Sequence, residues 1–330
     1  MFEAERVEAL LTAALLGTAI LMAQSDATRA QTLGDKPIRI LVPIAAGGAT
    51  DLTARFLAQK LSESLRVNAF VENKPGGAFI PILKELTGSA PDGHTLLVIS
   101  TANVVTQPMH PDYPFDLAKL TAISEISNGP MILVARPSLG LKTPAELIAF
   151  AKANPDKLTF GSGGGSGGTF YVSTELLKLR TGIKVKNLPY RGSALALNDL
   201  LGGHIDAMFD AMPVQIEQAS AGKVVPILVS SPKRSPALPN VPTATEAGIP
   251  DFEVVNYFAL LGPAGIPPPI VKQLRDEVVK AVRTPEASAD FQKQGVAGIA
   301  GEPAQLAALI TADLVRWAQV IKEAGLKPEP

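Results

Sequence analysis

The sequence predicts an α/β protein of two lobes, each a mixed, mostly parallel sheet flanked by helices. Three observations carry this. Strand-like and helix-like segments alternate after residue 35, the pattern of parallel sheets with helical crossovers. At 330 residues the chain outgrows one ordinary core. A small-residue, glycine-rich junction between a strand and a helix occurs twice, at 45–50 and at 160–169. Composition agrees: 46% of residues are hydrophobic and 18% charged, enough apolar material for substantial buried sheets. The formal net charge is −1 with no basic block, which argues against a nucleic-acid footprint. The absence of cysteine excludes thiol catalysis, disulfides and cysteine-based zinc sites.

The chain opens with an apolar run, Ala9–Ala23, that is too short to read as a membrane span. Gln24–Gln31 follows, with Thr28 and Ala30 placed as in a small-residue cleavage site. Residues 1–30 therefore read as an export signal. Glu3, Glu5 and Glu8 outnumber Arg6 where such a signal is normally basic, so a buried N-terminal helix or a misplaced start codon is the alternative. Ile38–Val42, bounded by Pro37 and Pro43, is a short buried strand. It leads through Ala45–Thr50 into a helix with Leu52, Phe56, Leu57 and Leu61 on its apolar positions and Thr50 or Asp51 as its cap. Further strands are expected at Asn68–Val71, Thr95–Ile99, Met131–Ala135, Leu158–Gly161, Lys184–Leu188, Ile205–Phe209, Val225–Val229 and Val254–Leu261. Thr143-Pro144-Ala145-Glu146 is a capping box with proline at the first helical position, opening a helix to about Ala153. Helices are also expected at about Phe170–Thr181 and at Ala194–Leu201. From Pro267 the chain reads as mainly helical, with a fresh start at Thr284-Pro285 and Trp317 on an apolar face of the last helix.

Both glycine junctions set backbone N–H groups at the positive end of a helix dipole, which makes each an anion site by construction. The first has no lysine, unlike a phosphate-binding P-loop, so a carboxylate suits it better. Gly163-Gly164-Gly165-Ser166-Gly167-Gly168 formally matches G-x-G-x-x-G. The next strand ends in Asn187-Leu188-Pro189, without the acid that a dinucleotide's ribose requires. The same stretch matches G-x-S-x-G, with Ser166 as nucleophile of a serine esterase-like hydrolase. Only His204 follows it in the chain, in a turn that reads as solvent-facing; His94 and His110 precede it. Three dispersed histidines argue against zinc. Asp206 and Asp210 share one face of a strand, near a cleft or on turn and cap duty. Arg191 is placed to clamp a carboxylate or to face solvent, and Tyr190 to line a pocket. No catalytic residue, metal or cofactor is assigned.

Several segments together resemble a known family: PIRILVPIAAGGATDLTARFLAQKL, VENKPGG, APDGHTLLVIS, VKNLPYRGSALALNDLLGGHIDAMFD, VPTATEAGIPDFEV, LLGPAGIPPPIVKQL and VRWAQVIKEAGLKPE, in this order. They are similar to the extracytoplasmic solute receptors of tripartite tricarboxylate transporters, the Bug-type receptors, over nearly all of residues 36–328. The resemblance implies a type II periplasmic-binding-protein-like fold, with lobe 1 from 31–131 plus 255–330, lobe 2 from 132–254, and the ligand in the interlobe cleft. It also implies periplasmic export, a monomer, and a small organic carboxylate handed to integral membrane transporter subunits; a sensor-type carboxylate receptor is the alternative. The family's ligand is held by backbone amides and small hydroxyl residues of two loops. Here these correspond to Ala46, Gly47, Gly48, Ala49, Thr50 and Asp51, and to Ser162, Gly163, Gly165, Ser166 and Gly167, with Tyr190, Arg191 and Asp210 as further ligand-binding positions. Two departures stand out. Phe170 and Tyr171 occupy the helix start where the family usually has a histidine, and Pro75–Phe79 lacks the family's usual small polar run.

Overall fold

The computed structural model describes residues 33–327, so the expected export signal at 1–30 lies outside the described residues. β1 (Ile38–Val42), α1 (Ala49–Leu65), β2 (Ala69–Asn73), α2 (Ile80–Thr87), β3 (Thr95–Ser100) and α3 (Thr101–Met109) form a first alternating run. β4 (Thr121–Ala135) follows. A second run comprises α4 (Pro144–Ala153), β5 (Thr159–Gly163), α5 (Thr169–Thr181), β6 (Lys186–Tyr190), α6 (Ser193–Leu201), β7 (Ala207–Ala211), α7 (Met212–Ser220) and β8 (Val225–Val229). The chain then returns through β9 (Val255–Gly262), α8 (Pro268–Val282), α9 (Pro285–Lys293), β10 (Ala297–Gly298) and α10 (Pro303–Ala324).

The strands lie in the order β2-β1-β3-β9-β4-β7-β5-β6, with β8 and β10 attached to β4. β1, β2 and β3 are parallel, and β9 closes their half antiparallel. β5, β6 and β7 are parallel, and β4 closes theirs antiparallel. β4 belongs to both halves: Thr121–Pro130 pairs with β9, and Met131–Ala135 pairs with β7 and β8. This is the two-lobed α/β architecture the sequence predicts. Both sheet faces are covered, as parallel sheets require. Ile38, Ile40 and Val42 pack with Leu57 and Leu61 on one face, while Leu41, Leu97 and Ile99 pack on the other. In the second half Phe160 and Phe209 meet Leu176, and Ile132 and Met208 meet Leu200 on the opposite face.

Register decides where a cleft can lie. Ser100, the last residue of β3, pairs with Phe258, which pairs with Ser127, so β3 points along β4 toward Pro130. Ala211, the last residue of β7, pairs with Met131. The carboxyl ends of both parallel sets therefore face the crossing at Pro130-Met131, where open α/β sheets bind their ligands.

Two features depart from expectation. β4 begins ten residues before the expected Met131, because Ser124, Glu125, Ser127 and Asn128 disguise its first part. Register shifts between Ala122 and Ser124 and between Glu125 and Ser127 break the alternation, and the buried Ser124 hydroxyl donates to the Gly301 carbonyl. α10, at the end of the segment expected in lobe 1, joins both cores. Leu306 and Ile310 pack with the first half, and Trp317, Val320 and Ile321 with the second. Among the described residues no helix is long and apolar enough to cross a membrane.

Candidate functional site

The first loop leaves β1 at Val42 and enters α1 at Ala49. Gly47 adopts φ +90°, a backbone that only glycine takes freely. Gly48 is the N-cap, with no side-chain cap, so neither Thr50 nor Asp51 caps the helix as expected. The reason is visible in Asp51. From the third helical position its Oδ2 reaches back to accept the Gly47 N–H at 2.8 Å, so it fastens the loop ahead of the N-cap and caps no helical N–H. Asp51 also accepts from Arg55 Nε at 2.9 Å and from Asn73 Nδ2 at 2.8 Å. Burial alone would push its carboxyl up, but these three donors together hold it below the usual aspartate value. Asn73 also donates to the Ile44 carbonyl, so one side chain at the end of β2 pins the loop at two points. Helical bonding starts with Leu52 N–H to the Gly48 carbonyl, which leaves the N–H groups of Ala49, Thr50 and Asp51 as the helix's orphan donors. Ala46, Gly47 and Ala49 are exposed beside them, whereas the side chains of Thr50 and Asp51 are buried.

The second loop repeats the device. Gly164 and Gly165 have φ +90° and +78°, and Gly168 caps α5 with no side-chain contribution. Val172 N–H bonds to the Gly168 carbonyl, leaving the N–H groups of Thr169 and Phe170 open at the helix start. The loop is tied to the β6–α6 turn: Gly165 N–H donates to the Tyr190 carbonyl at 2.8 Å, and Gly163 lies directly against Ser193. Ser162 is fully buried, and its hydroxyl donates to Asn187 Oδ1 at 2.8 Å rather than facing the gap. Asn187 in turn donates to the Tyr171 carbonyl and to Glu175, pinning α5 as Asn73 pins the first loop. Two hydroxyls differ from all of these. Ser166 Oγ and Thr169 Oγ1 are shielded from solvent and have no hydrogen-bond partner. Gly167 lies against Met109 of α3, a helix of the first alternating run whose Met109 packs in the second-half core.

The remaining expected positions divide. Tyr190 donates its hydroxyl to Asp199 at 2.7 Å, and burial followed by that carboxylate raises it to about 12; its ring packs in the second-half core instead of lining a pocket. Arg191 is exposed at the β6–α6 turn and makes no ion pair among the described residues. Asp210 is buried at the end of β7, where Gln215 Nε2, the Ser193 hydroxyl and the Ala211 N–H all donate to it; burial outweighs them and raises its carboxyl. Asp206 sits at the other end of β7, accepting from Arg136 and from the Thr159 N–H, which is structural duty. His204 precedes β7 and Ser166 follows the parallel β5, so the two stand at opposite ends of neighbouring strands and form no nucleophile–base pair. Phe170 packs against the second-half core, not across the gap. Asn73 and Asn187, which hold the two loops, are not among the expected positions, and Thr169 is expected only as the end of the second loop. The signal is Asn-x-Pro at 73–75, starting on the last residue of β2, and again at 187–189, within β6, the strands that flank the two loops.

The two loops thus offer open N–H groups and unpartnered hydroxyls at the carboxyl ends of the two parallel strand sets, with the exposed Arg191 guanidinium at the neighbouring turn. Residues 53–326 match the family described as "Tripartite tricarboxylate transporter family receptor". BugT of Bordetella pertussis is 34% identical over 301 residues, covering 90% of this chain and 92% of that protein. Among solved structures, R. palustris Rpa4515 with adipate superposes with a TM-score of 0.79 at 29% identity, covering 89% of this chain and 99% of that one. MatC from Rhodopseudomonas palustris with bound malate gives 0.76 at 28% identity, covering 87% and 99%.

Proposed function

The chain belongs to the receptor family of tripartite tricarboxylate transporters, which are solute-binding receptors, and from that premise we propose that it captures one small organic carboxylate between its two halves. In this reading the lobes are 31–131 with 255–330, and 132–254, with α10 as a strap across both. The protein works outside the cytoplasm and passes its ligand to integral membrane subunits as a monomer, without chemistry on the ligand.

The observation that carries the reading is the pair of glycine-capped helix starts at the carboxyl ends of the two parallel strand sets, with Ser166 and Thr169 hydroxyls that have no hydrogen-bond partner among the described residues. A buried unpaired hydroxyl costs about 1–3 kcal/mol, so two on one loop call for a partner from outside the fold. One carboxylate would take the N–H groups of Ala49, Thr50, Thr169 and Phe170 with those two hydroxyls. Each helix start adds about 0.3–1 kcal/mol for a negative charge at an exposed site. Arg191 stands ready for a second carboxylate at the rim. Asp51, Ser162, Asp210, Asn73 and Asn187 hold the donors in place. The relatives solved with adipate and with malate support a dicarboxylate.

Thermal shift of the purified protein against mono-, di- and tricarboxylates tests this. A true ligand at a hundred times its dissociation constant adds about 2.7 kcal/mol of stability. Stabilisation by uncharged solutes, with none from any carboxylate, would overturn the anion reading.

A further inference from the structure

Behind the crossing strands, on the face that α10 covers, lies a cavity of about 500 Å³ that shares no residue with either loop. Its wall includes Glu125, Asn128, Tyr257, Asp313, Arg316 and Trp317. Such a volume holds a small molecule. The charges do not balance: Asp251 and Glu253 also line it, making four carboxyls against one guanidinium. Arg316 is already engaged, 5.0 Å over the Trp317 ring and donating to the Glu253 carbonyl. Arg180, the other cation near Arg316, pairs with Glu323. Asn128 donates to Glu125, which leaves the second carboxylate oxygen of Glu125 without a cation. Tyr257, only 1% exposed, directs its hydroxyl at the Asp313 carboxylate and lies within electrostatic reach of Glu125, so its phenolic oxygen keeps accepting capacity. The Trp317 indole N–H is equally buried and unpartnered. Burial raises the carboxyls of both Glu125 and Asp313; the Arg316 charge opposes the rise at Asp313 and the Asn128 amide opposes it at Glu125, and in each case burial outweighs the opposing group.

We infer that this cavity binds a small organic cation, with a primary ammonium between Glu125, Asp313 and the Tyr257 hydroxyl and an alkyl body along Val255 and Leu309. The Trp317 N–H suits an oxygen on the same molecule. The site is separate from the two loops, and its occupant touches β4, β9 and α10, of which β4 and α10 are common to both halves.

The probes are 1,4-diaminobutane and 4-amino-1-butanol, each added to the full protein without carboxylate and compared with sodium chloride at equal ionic strength. At least one amine raises the melting temperature of the wild type, and the rise disappears in the Glu125→Gln/Asp313→Asn double variant. No rise in the wild type, or an undiminished rise in the variant, overturns the inference. Calorimetry on the wild type decides independently of how the variant folds. At about pH 5, near the usual carboxyl range, amine binding releases protons as the raised carboxyls ionise, read from the dependence of the heat on buffer ionisation. Amine binding without proton release overturns the assignment to Glu125 and Asp313.

Discussion

Thr169 separates a functional group from a structural one most cleanly, because its hydroxyl satisfies nothing in the fold. Thr169→Val keeps the shape and removes only the donor. Unfolding in urea should show unchanged or slightly higher stability, while carboxylate affinity falls roughly tenfold or more, given about 1.5–3 kcal/mol for a hydrogen bond to a charged group. An unaltered affinity would take Thr169 out of the site. Asn73→Ala should act the other way round. It strips Ile44 and Asp51 of a donor and Arg55 of an acceptor, so stability drops by about 1–3 kcal/mol and ligand binding weakens only as the loop loosens. At Gly163 there is no room: an added Cβ would stand 2.5 Å from Ser193 Oγ and 2.6 Å from its backbone nitrogen. Gly163→Ala must push the β6–α6 turn away, and a loss of about 1–3 kcal/mol is expected in the same urea titration.

Among the elements, α10 carries its own control. Trp317 is 1% exposed and closes the second-half core, whereas Val315, two residues earlier, is 68% exposed. Trp317→Ala should cost about 3–5 kcal/mol and Val315→Ala less than about 0.5 kcal/mol by chemical denaturation. The elements also show what a linear reading can and cannot see. β1, β8 and the α4 capping box stand where apolar runs, prolines and the Thr143–Glu146 pair put them, because local chemistry specifies those elements. The first ten residues of β4 were illegible because their polar side chains are satisfied by partners far away in sequence, such as Ser124 by Gly301. The α1 cap was misplaced for a related reason: Asp51 has a capping residue's chemistry, but its side chain turns back from inside the helix. At the site, both glycine loops were readable from composition. The division of their residues into donors and props was not, since it depends on partners distant in sequence, such as the Asn187 that β6 sets beside Ser162 and not beside Ser166.

For the whole molecule, pH pulls in two directions. Asp51 is lowered in the folded state, so its contribution is present above the ordinary aspartate value and is lost as pH falls through the folded one. Asp210, Glu125 and Asp313 are raised, so theirs is present below the ordinary carboxyl range and is lost as pH rises through the folded values. Asp210→Asn should therefore flatten the fall in melting temperature on the rising side, measured from pH 4 to 8. The Gln215 amide oxygen, unpartnered now, can turn to accept from the new amide. The continuity of β4 bears on the molecule in another way. One unbroken strand is bonded into both halves, with register shifts on either side of Pro130-Met131. A joint of this kind has no pin and no sliding surface; it is a leaf spring with thin sections, and any closing of the halves bends it. A bent spring recoils. In the proposed capture between the halves, the energy needed to bend this strand would have to come from ligand binding and would be returned on release.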